Sequence, residues 1–150
     1  MDIVIHPQTE ERLRTFIKEI PKERAYVDLS TALDALRTED MFNIIDMDTG
    51  WKADLILRKS RSFSIGEFER RRRVEWLGLP LYVASPEDVV LTKLEWSRLS
   101  GGSERQRRDI VGILDSLGDK LDLAYIESWL DELHVRAEWN HVQPMTRREA

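Results

Sequence analysis

The sequence predicts an α+β domain: strands and helices mixed over residues 1–83, then a helical part over residues 84–150. Three observations carry this. DIVI, MFNIID and WKADLIL alternate with the two-residue period of strands, and Leu13, Phe16, Ile17 and Ile20 recur at helical spacing. From Ser85 onward every apolar pattern is helical, with caps between segments. The 150 residues and 41% hydrophobic content suit one domain with a true core, its sheet covered by helices on one face.

The elements follow in order. DIVI, residues 2–5, is a β-branched strand stopped by Pro7, and the helix holding Leu13 to Ile20 is ended by Pro21. A weak strand near Tyr26 and Val27 precedes a short helix with Leu29, Leu33 and Leu36 on one side, capped by Asp28 or Ser30. MFNIID and WKADLIL form an antiparallel pair, Gly50 supplying positive φ in the turn. The arginine-rich stretch from Arg58 to Arg73 holds a helical turn around Ile65 and Phe68, followed by two short strands, VEWLG and PLYVA. Ser85, Pro86 and Asp88 start a helix running to about Leu99. Beyond SGGS, Ser103 and Gln106 read as a capping box for a helix with Ile110, Ile113, Leu114 and Leu117, closed by Gly118. A last helix places Leu123, Ile126, Leu130 and Leu133 on one face, and from Arg136 on the pattern fades beyond Trp139.

A net charge of -5 argues against bulk attraction to nucleic acid. With no cysteine there is no disulfide, thiolate metal site or cysteine nucleophile. No apolar run nears the roughly 18 residues of a membrane span, and MDIVIHP lacks the basic start and long apolar stretch of a secretion signal, so a soluble cytoplasmic protein is expected.

Alternation along WKADLIL puts Trp51, Ala53, Leu55 and Leu57 on the core face and Lys52, Asp54 and Ile56 opposite. In DIVI it puts Ile3 and Ile5 on one side, Asp2 and Val4 on the other. Each strand thus offers an acid away from the core. If the strands are neighbours the carboxylates converge, and a divalent ion such as Mg2+ is the usual compensation for converging hard oxygens. The plainer alternatives are a solvated strand end for Asp2 and an exposed position paired with Lys52 for Asp54.

The order DIVI, FNIIDMDTGWKADLIL, ASPEDVVLTKLEW and ERQRRDIVGIL, over residues 2–117, resembles the nucleotidyltransferase fold, in particular the small bacterial AbiEii-like toxins. The resemblance implies a mixed sheet with helices on one face and a helical C-terminal third. It implies Mg2+-dependent transfer of a nucleoside monophosphate from an NTP to a hydroxyl of an RNA, protein or small molecule, and an antitoxin partner. It casts Asp2 and Asp54 as metal ligands and catalytic acids, and Lys52, Lys93 and Asp109, preceded by Arg108, as nucleotide-binding residues. The family's glycine-rich turn has no counterpart, and the acid two residues before Asp2 would fall ahead of Met1. Impaired catalysis is therefore expected, with a non-catalytic nucleotide- or protein-binding remnant as the alternative. The helix that precedes the glycine-rich turn in the family has no counterpart either, which would leave apolar sheet surface uncovered and predicts reduced stability or a homo-oligomer.

Lys93 shares a helix side with Val89 and Trp96 and reads either as a snorkelling lysine or as a phosphate contact oriented by Asp109. The run ERRRRVEW, with Arg58, Lys59 and Arg61, is a basic segment that reads as a solvated face or a polynucleotide contact. His6, His134 and His141 lack metal-ligand spacing, and no P-loop, G-x-S-x-G or H-E-x-x-H occurs.

Overall fold

The computed structural model describes residues 1–143. The chain divides into two compact units, residues 1–68 and 69–150, and the architecture is α+β as the sequence predicts.

The first unit is a four-stranded mixed sheet of β1 (Asp2–Ile5), β2 (Ala25–Tyr26), β3 (Met41–Asp46) and β4 (Lys52–Leu57), in the order β1-β4-β3-β2. β1 runs parallel to β4, and the other neighbours are antiparallel. Two helices, α1 (Glu10–Glu19) and α2 (Leu29–Thr38), supply Leu13, Ile17, Ala32, Leu33 and Ala35 to a core closed by Phe42, Leu55 and Leu57 of the sheet. Thr9 caps α1 and Asp28 caps α2, where its carboxylate accepts from the Thr31 N–H at 2.7 Å. The Ser30 hydroxyl is not the cap; it donates to Asp28 at 2.6 Å. The β3–β4 turn closes on Asp46, which accepts from the Thr49 N–H and hydroxyl, and Gly50 takes φ 71°.

Trp51 departs from its expected place in the core. It precedes β4 at the end of the hairpin turn, where its carbonyl accepts from the Asp46 N–H at 2.8 Å, and its side chain is 70% exposed. Ile3 is also exposed, β1 being an edge strand, whereas Ile5 packs against the core.

Within the helix α3 (Ser62–Arg70) the chain passes into the second unit. There β5 (Arg72–Trp76) and β6 (Leu79–Val83) form a two-stranded antiparallel ribbon. Its turn residues Leu77 and Gly78 both have positive φ, 51° and 76°, as the tightest hairpins require. α4 (Pro86–Leu99) is the central helix, contacted by α5 (Glu104–Leu117), α6 (Leu123–Trp129) and α7 (Arg136–Val142). Its start is as predicted: Ser85 accepts from the Asp88 N–H at 3.1 Å.

Three expectations change here. Ser103 makes no side-chain capping hydrogen bond, and Gln106, expected to complete the box, turns its amide oxygen toward Lys93. The expected last helix ends at Trp129, and Leu130 and Leu133 reach the core from the following turns, which finish with His134 at φ 57°. The tail is a helix over Arg136–Val142 whose Trp139 and Val142 are buried, and its part beyond residue 143 lies outside the described residues. Trp139 donates its indole N–H to Glu127 at 2.8 Å, and Arg136 forks onto Asp131, so packing and ion pairs hold a helix too short for periodicity to reveal. Among the described residues no helix is long and apolar enough to cross a membrane.

Candidate functional site

On the sheet face opposite α1 and α2, strand pairing puts Asp2 beside Asp54 and Asp54 beside Asn43. Residues directly opposite on neighbouring strands share a face, so the two acids and the amide form one row across β1, β4 and β3. Asp is disfavoured in mid-strand, and here Asp54 is held by polar neighbours. Asn43 donates its amide to Oδ1 at 2.5 Å, and the Lys52 ammonium lies 3.6 Å from the same oxygen. Asp2 is far more open, its side chain 76% exposed. The row thus presents two carboxylates and a cation to solvent.

Its donor set suits a hard cation only in part. Among the described residues no group of three or more acidic or histidine side chains gathers as a metal cage. Two carboxylates do match the way Mg2+ is held when phosphate and water oxygens complete its shell.

Lys93 and Asp109 belong to the second unit. The Lys93 ammonium donates to Asp109 at 2.6 Å and to the Gln106 amide oxygen at 3.2 Å, so α4 and α5 are tied by this pair. The hydrogen bond from Lys93 keeps the Asp109 carboxyl below the usual carboxylate range, and Lys93, Arg105 and Arg108 add positive potential. The Lys93–Asp109 contact is present, and it is compatible with both readings of Lys93.

A second polar cluster was not singled out by sequence. Asp88, fully buried, accepts from the Ser85 hydroxyl at 2.6 Å, the Tyr125 hydroxyl at 2.7 Å and the Arg70 guanidinium at 3.3 Å. The same guanidinium stacks 3.7 Å from the centre of the Tyr125 ring. Burial, followed by the Asp88 carboxylate, drives the Tyr125 hydroxyl well above its ordinary range, so it stays a proton donor. Only the capping role of Asp88 was legible, since its other partners lie 18 and 37 residues away. Arg70 is thereby removed from the basic segment as a free charge. His6 accepts from Arg58 at 3.0 Å, and burial together with that cation lowers its pKa, which favours a neutral ring.

A cavity of about 400 Å3 opens in the first unit, lined by Ile17, Ile20, Tyr26, Val27 and Leu29 with Lys18 and Lys22. None of the five expected site residues lines it. The sheet row and the cavity are therefore separate features of the first unit. No protein-family model matches the chain, and no curated protein is significantly similar to it.

Proposed function

We propose that the chain is a nucleotidyltransferase-like protein whose open sheet face receives the phosphates of an NTP through Mg2+ at Asp2 and Asp54. The observation that carries this reading is the register of β1 on β4, with Asp2 paired to Asp54. In the reaction the acceptor hydroxyl gives up its proton to water, its oxygen bonds to the α-phosphorus, the α–β bridging bond breaks and pyrophosphate leaves. Mg2+, when bound, offsets charge on the phosphate oxygens and on the attacking oxygen. Asp2 and Asp54 would hold the ion, Lys52 would meet a phosphate oxygen, and Asn43 would keep Asp54 in its rotamer. The acceptor, an RNA, protein or small molecule, has its hydroxyl approach from solvent.

Transfer is impaired in this reading. Two carboxylates are a sparse set for nucleotidyl transfer, and Asp54 already shares Oδ1 between a cation and an amide. Those internal partners also favour a second reading, a binding module of the same fold without turnover. Lys93 and Asp109, in the second unit, form a basic group with its orienting acid.

Isothermal titration calorimetry with NTP, with and without Mg2+, tests the proposal. Weak binding that needs Mg2+ and vanishes in Asp54→Asn is expected. Binding that is indifferent to the metal, or unchanged in Asp54→Asn, would overturn it. Transfer of labelled nucleotide to an acceptor, under conditions where binding is seen, separates enzyme from module.

A further inference from the structure

We propose that the β5–β6 ribbon is a self-association surface, its apolar face stacking on the same face of a second copy of the chain. Register and alternation give that face three cross-strand rows: Arg72 with Val83 at the base, Val74 with Leu81 in the middle, Trp76 with Leu79 at the tip. Arg73, Tyr82, Glu75 and Pro80 point the other way. Every residue of both strands is exposed, Trp76 and Leu79 to 62% and 61%. A lone two-stranded ribbon is at best marginally stable in water, yet this one offers five apolar side chains on one side.

The tip adds to the case. Leu77 takes left-handed φ, where Asn, Asp or Gly is the usual residue, and is 81% exposed. A bulky apolar side chain at a costly turn position serves nothing within its own ribbon.

The face is self-complementary, which is the argument for a second copy. A two-fold axis lying between two such faces, perpendicular to the strands, sets β5 on β5 and β6 on β6 with their directions reversed. The middle rows then meet each other, Leu79 meets Val83 of the second copy, and Trp76 meets Arg72 of the second copy. A guanidinium over an indole is a favourable cation–π pair. Arg70 is engaged with Asp88 and Arg71 with the Tyr82 ring, whereas Arg72 stands on the apolar face itself. The apolar area offered is on the order of 500 Å2 per copy, so two copies reach the roughly 1,000 Å2 of a specific interface.

Sedimentation equilibrium of the full chain over a concentration series tests this. The wild type is expected to dimerise. Trp76→Arg would set arginine against Arg72 of the second copy and raise the dissociation constant at least about tenfold. Adding Arg72→Trp to that variant would restore dimerisation, because the swapped residues still meet across the two-fold axis. Within one copy the two positions lie about 13 Å apart along the strand, so rescue reads a contact between copies. Leu79→Glu should dissociate the dimer by an independent route. A wild type that stays monomeric, as it would if the ribbon served a different protein, overturns the proposal. So does a dimer indifferent to Trp76→Arg, or a double swap that restores nothing.

Discussion

Asp54 and Asp88 are both carboxylates beside a basic side chain, and their surroundings are opposite. Asp54 sits on an open sheet face with Lys52 3.6 Å away, and that lysine is itself 53% exposed. Asp88 is fully buried and takes hydrogen bonds from Ser85, Tyr125 and Arg70 as well as its place in the cap of α4. A buried charge persists only when its lone pairs are filled from within. An exposed one keeps water as a partner, and a ligand can replace that water. The difference marks Asp88 as structural, whereas Asp54, its side chain 28% exposed, keeps a path to solvent.

The largest effect should come from breaking the buried side. Asp88→Ala leaves Arg70 and the Tyr125 hydroxyl without their acceptor and is expected to destabilise the second unit by about 3 kcal/mol. Urea denaturation followed by circular dichroism measures it. A loss under about 1 kcal/mol would mean the network is easily resolvated.

Acid should act on the same network more gently, through Glu87. Burial pushes this carboxyl up, and the Asp122 N–H, its own N–H, Ser85 and Arg70 outweigh it, so the folded pKa lies below the ordinary value of 4.5. A depressed carboxyl contributes stability that is fully present above its unfolded pKa and is lost as pH falls through the folded value. Stability of the wild type should therefore drop below pH 4.5, more steeply than that of Glu87→Gln, in denaturation curves collected across that range. Equal slopes would remove Glu87 from the account.

The smallest effect on stability belongs to the open side. Asp54→Ala removes a half-exposed pair and should change unfolding free energy by no more than about 0.5 kcal/mol, while abolishing Mg2+-dependent nucleotide binding. A large loss of stability there would make Asp54 a second structural acid and erase the contrast.

The elements were legible where local chemistry decides them. Ser85-Pro86 began α4 as read, and the alternation in DIVI and WKADLIL located Asp2 and Asp54 on the face away from the helices. Local rules failed where a distant partner intervened. Gln106 looked like a capping residue and instead accepts from Lys93, thirteen residues back. Asn43, whose position in MFNIID follows the same alternation, completes the acid row, a signal that was present but unread. α7 is too short to show a period, and its Trp139 is fixed by Glu127 from another helix.

The sequence by itself determined the α+β class, the strand faces and most helix starts, because alternation, caps and turn glycines act over a few residues. Tertiary structure alone decided that β1 would lie parallel to β4 in a register aligning Asp2 with Asp54. It also decided that Arg70 and Tyr125 would converge on Asp88. Pairings between residues 18 to 52 positions apart depend on which surfaces are buried together, and no short-range pattern encodes that.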